Sequence, residues 1–324
     1  MRNPKRWFAA LLTTVFCLTG CTSGEQAAET EPAAESEISV VAILKAKNSL
    51  HWQYVTEGLE QTAKSEHVNL QVLWPETETD GAVQVRLIQD AIQAEPDVLI
   101  LAPNDSELAK PYAEKIRQAG IGLIYMDEPI QGQEEIPYVG SDNYHAGELA
   151  ASAMAQALDE GVVAYIGGSQ TQQVHFLRGS GFIQGIDDTE LEFSGLKEVP
   201  DCSVSGGKEA MLELLEESPQ VQGVFCASAM LCMGALEACQ SMNRRDVVLM
   251  GMDTQSDVLS AVKNKRVYAV ISQSGYDMGS RALQQAVKLA KGEEIPAENY
   301  IENTIISKQN VEDYLDAFVM EGRE

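Results

Sequence analysis

Several side chains able to bind a ligand stand at the ends of apolar runs. Asp127 and Glu128 follow Ile121–Met126, Asp253 follows Val247–Met252, and Gln273 follows Val267–Ser272. Lys45 and Ser49 lie just past Ile38–Leu44, and the aromatic pair His51 and Trp52 comes next. Arg178 lies within a stretch, Val174–Asp187, that reads as a helix. Covalent and metal chemistry find no matching pattern. The four histidines, at 51, 67, 145 and 175, form no H-E-x-x-H zinc motif. No G-x-S-x-G elbow is present for acyl transfer. Gly206-Gly207-Lys208 has no earlier glycine at phosphate-loop spacing, and Gly179, Gly181 and Gly185 miss the dinucleotide spacing inside a predicted helix. The polar groups therefore point to non-covalent binding, and a surface-anchored α/β enzyme is the weaker alternative.

These residues need strands and helices to hold them. Ile38–Leu44 is apolar and rich in β-branched residues without clean alternation, as expected of a strand buried on both faces of a parallel sheet. A helix from His51 through Lys64 follows. The pattern then predicts strands at 70–73, 98–101, 121–126 and 137–140, with helices at 81–94, 106–119 and 143–158. A second series has strands at 162–166, 192–199, 221–226, 247–252 and 267–272. Its helices are expected at 174–187, 207–217, from about 229, and at 275–291. One further extended piece near 299 and a helix at 311–320 close the chain. Strand–helix alternation of this length implies an α/β fold with two largely parallel sheets. In such sheets ligands sit outside the carboxyl ends of the strands, where the polar residues above are concentrated.

Arg2, Lys5 and Arg6 precede a twelve-residue apolar segment, Trp7–Leu18, well short of the about 20 residues a bilayer span needs. Leu18-Thr19-Gly20-Cys21 matches a bacterial lipobox, so residues 1–20 are expected to be a lipoprotein signal peptide and Cys21 the lipidated residue. Residues 21–37 hold five glutamates and no large apolar side chain, which predicts a disordered acidic tether. Without the leader, 20 basic residues face 49 acidic ones, a formal charge of −29. Nucleic acid is an improbable partner for such a surface. Cys202, Cys226, Cys232 and Cys239 form no C-x-x-C pair, so a zinc site is not expected, and buried free thiols are.

From residue 38 to about 310 the chain resembles the type I periplasmic solute-binding proteins of the ribose and galactose class. The resemblance rests on Val139-Gly140-Ser141-Asp142-Asn143 with Gly147, on Arg178-Gly179 with Gly181-Phe182, on Gly251-Met252-Asp253, and on Gln273. It implies two Rossmann-like lobes joined by three hinge crossovers: 38–141 plus 274–302, and 142–273 plus 303–324. The same fold serves as the effector domain of lac-repressor-like factors, but a signal and an acidic tether stand where a DNA-binding headpiece would be.

The resemblance implies a sugar or polyol between the lobes. Carboxylates accept from two adjacent hydroxyls, guanidinium donates to two in a fixed fork, and aromatic faces cover ring C–H surface. Asp127, Arg178, Asp253 and Gln273 match polar contacts of ribose-type members, and His51 and Trp52 match aromatic ones. Lys45 and Ser49 fall near other contact positions. Three departures point away from ribose itself: Glu128 and Ser228 replace an arginine and an asparagine, and Cys202 falls near an aromatic position. Lys45 and Arg178 set against Asp127, Glu128 and Asp253 favour a neutral or amine-bearing polyol over an acid sugar. Asp142 and Asn143 are read as helix cap and hinge. The implied protein is a monomeric extracytoplasmic lipoprotein on the bacterial cell membrane, free of cofactor and metal. It serves the permease of an ABC importer or, alternatively, a membrane sensor histidine kinase.

Overall fold

Strand pleating divides each apolar run between two cores. In the computed structural model, which describes residues 37–47 and 49–320 (side chains to residue 315), Val40, Ala42 and Leu44 face one core while Val41 and Ile43 face another. Val98 and Ile100 likewise oppose Leu99 and Leu101. Period-2 alternation of buried side chains on both faces is what a central parallel strand requires. The expected signal peptide over 1–20, Cys21 and the tether before Glu37 lie outside the described residues.

The chain builds a first sheet from β1 (Ser39–Ile43), α1 (Leu50–Glu66), β2 (Asn69–Leu73), α2 (Gly81–Ala94), β3 (Val98–Leu101), α3 (Ser106–Ala109), α4 (Tyr112–Gln118), β4 (Gly122–Met126) and β5 (Tyr138–Ser141). It then builds a second from α5 (Asn143–Ala157), β6 (Gly161–Gly167), α6 (Gln173–Ile186), β7 (Leu191–Glu198), α7 (Val204–Glu217), β8 (Val221–Cys226), α8 (Ala229–Ser241), β9 (Val248–Met252), α9 (Ser256–Lys263) and β10 (Ala269–Ile271). It returns with α10 (Gly275–Ala290) and β11 (Glu298–Ile301), and finishes with β12 (Ile305–Ser307) and α11 (Val311–Met320).

The sheet orders are β11-β5-β4-β3-β1-β2 and β12-β10-β9-β8-β6-β7, so the two lobes repeat one topology. All pairings are parallel except β10 with β12. The chain passes between sheets after β5, after β10 and after β11. Asn303 ties these passages together: its amide donates to Ser141 Oγ at 3.2 Å and to the Ser272 carbonyl at 2.6 Å.

Two expectations change, and one element is new. The helix expected over 106–119 is two short ones, because Pro111 has no amide to continue the first turn. The helix α9 was not read from its sequence, although Val258, Leu259, Ala261 and Val262 bury one face of it. The single extended piece near 299 is two strands, one in each sheet.

Two helix crossings fix the elements that carry site residues. A Cβ at Gly58 of α1 would lie 2.1 Å from the Tyr276 carbonyl oxygen of α10. One at Gly147 of α5 would lie 2.2 Å from the Arg178 carbonyl oxygen of α6. Only glycine permits backbones this close. The four cysteines are free and buried, as expected. Among the described residues no helix is long and apolar enough to cross a membrane.

Candidate functional site

Two aspartates occupy equivalent places in the two sheets. Asp127 follows β4, and its amide donates to the Val139 carbonyl of the adjacent strand at 2.9 Å. Asp253 follows β9, and its amide donates to the Ile271 carbonyl at 3.0 Å. Both adopt left-handed backbone, with φ of 65° and 73°. Non-glycine residues in that region are uncommon, and strain of this kind clusters at ligand clamps. Both side chains line one cavity between the lobes.

Around Asp127 the charges pair. Lys45 leaves the end of β1 and places Nζ 2.7 Å from Asp127 Oδ2 and 3.5 Å from Glu128 Oε2. Burial works against the Lys45 ammonium, but Asp127, Glu128 and Glu78 outweigh it and hold its pKa above the usual lysine range. Burial likewise opposes ionisation of Asp127, but Lys45, His51 and Arg178 hold its carboxyl below the usual range.

Gln273 joins the two lobes. Its amide nitrogen donates to Asp127 Oδ1 and contacts His51 Nε2, each at 3.3 Å, and its carbonyl oxygen accepts from Arg178 Nη2. Arg178 is further held by Nε to Asn143 Oδ1 and by Nη1 to the Ala227 carbonyl, both at 2.8 Å. Asn143 therefore serves the arginine, while Asp142 caps α5 by accepting from the His145 amide at 3.0 Å. Asp253 Oδ2 accepts from the Ala229 amide at 2.9 Å, in the first turn of α8. Ser228 caps the same helix by accepting from the Leu231 amide.

Lys45, Ser49, His51, Trp52, Asp127, Arg178, Ser228, Asp253 and Gln273 line one cavity. The space there open to the centre of a water molecule is about 60 Å³. Adding a water radius on all sides gives an envelope on the order of 200 Å³, the scale of a monosaccharide. Trp52 and His51 pack edge to face at 5.0 Å, and the Trp52 indole donates to Glu78 Oε1 at 3.0 Å.

Among the described residues expected at the site, Glu128 alone lies off the cavity wall. It is fully buried. Its carboxylate crosses to the other lobe and accepts from the Gln173 and Val174 amides, at 2.5 and 3.4 Å, at the start of α6. Both carboxylates still meet Lys45 Nζ, Asp127 on the cavity side and Glu128 behind it toward α6. Burial raises the Glu128 pKa, reinforced by Asp127 and opposed by Lys45 and the two amides.

Glu78, Val174, His175, Cys202, Met230 and Gln255 complete the wall. Of these, only Cys202 stood near an expected contact position. His175 precedes Arg178 by one helical turn, and that spacing is the signal that could have found it. Its Nε2 lies 3.5 Å from Cys202 Sγ, and its Nδ1 is buried without a hydrogen-bond partner. Burial, then the charges of Arg178 and Lys45, push the imidazole pKa well below its usual value, so the ring is neutral. Glu78, in the segment Thr77-Glu78-Thr79-Asp80, resembles turn polarity and carries no such signal.

Comparison with known proteins gives one family. The model described as "Periplasmic binding protein domain" matches residues 40–294. The chain is 26% identical over 295 residues to the ribose import binding protein of Bacillus subtilis, covering 90% of this chain and 95% of that one. It is 24% identical to the xylitol-binding protein of Mycolicibacterium smegmatis, over 95% of this chain and 86% of that one. An ABC transporter periplasmic solute-binding protein from Actinobacillus succinogenes, solved with D-allose, superposes with a TM-score of 0.81 at 23% identity, covering 86% of this chain and all of that one. At that identity the superposition establishes the shared two-lobe fold.

Proposed function

Because this chain belongs to the periplasmic binding protein domain family, whose members bind substrates and are not enzymes, we propose that it captures a monosaccharide or a polyol of similar size between its lobes. The observation that carries this reading is the convergence of Lys45 and Asp127 from one lobe with Arg178 and Asp253 from the other, bridged by Gln273, on one buried cavity. Ring or chain hydroxyls would take the lone pairs that these carboxylates do not spend on Lys45 and the Ala229 amide, and Trp52 would cover C–H surface. The cavity suits a compact solute. A carboxylated sugar would meet Asp127, Asp253 and Glu78 with only two cations to answer them.

In this reading the lobes are 38–141 with 274–302, and 142–273 with 303–324, and they hinge at the passages that Asn303 links. Ligand drives closure because it meets both lobes only when they close. Glu128 and Gln172, which reach across to the facing lobe, hold the closed form. The protein is monomeric and anchored through Cys21 outside the cytoplasm, and it delivers its solute to an ABC importer. The ribose-import and xylitol-binding relatives support a hydroxylated solute.

A thermal-shift screen of pentoses, hexoses, pentitols, amino sugars and uronates tests the ligand class. Stabilisation by a neutral or amino sugar or a polyol is expected, and tight uronate binding would contradict it. Loss of uptake of that solute in a deletion strain tests the importer assignment, and preserved uptake would overturn it.

A further inference from the structure

Glu78 stands where the cavity adjoins a second space. That residue also lines a second interlobe groove, with about 400 Å³ open to the centre of a water molecule, several times the inner space. The groove lies between the ends of β2 and β3 on one side and the loop before α6 on the other. Its wall carries the carboxylates of Glu78, Asp105 and Glu107, and none of its lining residues is basic.

Two hydrogen-bonding atoms there lack partners. Gln172 is only 7% exposed, and its amide nitrogen is spent on the Asn104 carbonyl at 2.9 Å, which leaves Oε1 as a buried acceptor with nothing to accept from. The Ser106 hydroxyl on the facing lobe is likewise unpartnered. A buried polar atom without a partner costs about 1–3 kcal/mol, which a donor on a ligand placed here would recover. Leu108, 46% exposed, and the exposed Pro200 add apolar wall. Acceptors and negative charge beside short apolar surface match an ammonium on a short alkyl arm.

We propose that this groove is a second subsite, adjoining the sugar cavity at Glu78, that holds a positively charged, amine-bearing substituent of the ligand. The natural solute is then a sugar or polyol carrying such an arm, not a bare monosaccharide. The inference rests on the inner cavity being a sugar site.

Isothermal titration can separate the two ideas. The ligands are D-ribose, D-allose and D-galactose, and the 2-aminoethyl and 2-acetamidoethyl glycosides of each as both anomers. For at least one sugar and anomer the aminoethyl glycoside should bind about tenfold more tightly than its uncharged acetamido twin, the value of one charged hydrogen bond. Glu107→Gln, an exposed change outside the inner cavity, should shrink that gain severalfold and leave the parent sugar unaffected. Equal affinity of the twins, refusal of every glycoside that shares a bound parent sugar, or a gain indifferent to Glu107→Gln would each overturn the subsite alone. If no sugar or glycoside binds, the monosaccharide reading falls, and this one with it.

Discussion

The two lobes reach the cavity with the same backbone and different electrostatics. Asp127 and Asp253 share strand position, ladder hydrogen bond and left-handed φ. One is paired with a full charge, Lys45 at 2.7 Å, and the other accepts from the first-turn amide of α8 at 2.9 Å. A salt bridge taken out of water is costly to form and more costly to break on one side. A helix-terminal amide takes one lone pair and leaves the rest of the carboxylate for a ligand. The first lobe therefore presents a locked ion pair and the second a carboxylate still able to accept. A fold repeated twice thus holds the same aspartate in two different ways.

The sharpest way to break this contrast is Lys45→Met. It leaves Asp127 and Glu128 buried beside one another with no ammonium, and it should lower unfolding stability by about 3–5 kcal/mol in urea titrations. A loss under about 1 kcal/mol would mean that the pair is not locked. Next in size is the matched pair Asp253→Asn and Asp127→Asn. Asp253→Asn keeps an acceptor for the Ala229 amide, so affinity should fall by about 1.5–3 kcal/mol, roughly 10- to 100-fold, with little change in melting temperature. Asp127→Asn strips Lys45 of its nearest carboxylate and should lower both affinity and melting temperature. Equal behaviour of the two variants would erase the distinction.

Titration sharpens it further. The His175 pKa is depressed in the fold, so its contribution to stability is complete above its ordinary value near 6.5 and is lost as pH falls from there toward the folded value, at up to about 1.4 kcal/mol per unit. The Glu128 pKa is raised, so its contribution is complete below about 4.5 and is lost as pH rises through the folded value. Urea midpoints between about pH 5 and 7 should therefore fall less steeply toward acid in His175→Asn, and more steeply in Glu128→Gln. Slopes unchanged from the parent would show that neither group is held as described. The smallest effect is expected from Ser228→Ala, which removes one helix cap for about 1 kcal/mol of stability.

Much of this is legible in the sequence. Apolar runs without alternation marked both-face-buried strands, and a polar residue following such a run marked the place a parallel sheet offers a ligand. That logic singled out Lys45, Asp127, Asp253 and Gln273, and all four line the cavity. It misplaced Glu128 because the Gln173 and Val174 amides that take its carboxylate come from a segment remote in sequence, which chain adjacency to Asp127 does not reveal. It missed Glu78 because an acidic loop has no period to read, and its distance from Trp52 is set by the fold alone. The split at Pro111 was readable from that residue, whereas the partition of the tail between two sheets depends on pairings remote in sequence.

The most direct test is a crystal structure of the protein with its best-binding sugar or polyol. Ligand hydroxyls should lie within hydrogen-bonding distance of Asp127 or Lys45 from one lobe and of Arg178 and Asp253 from the other, with the Trp52 ring against C–H surface. A ligand bound tightly on one lobe alone, or outside the crevice that Gln273 spans, would contradict the account.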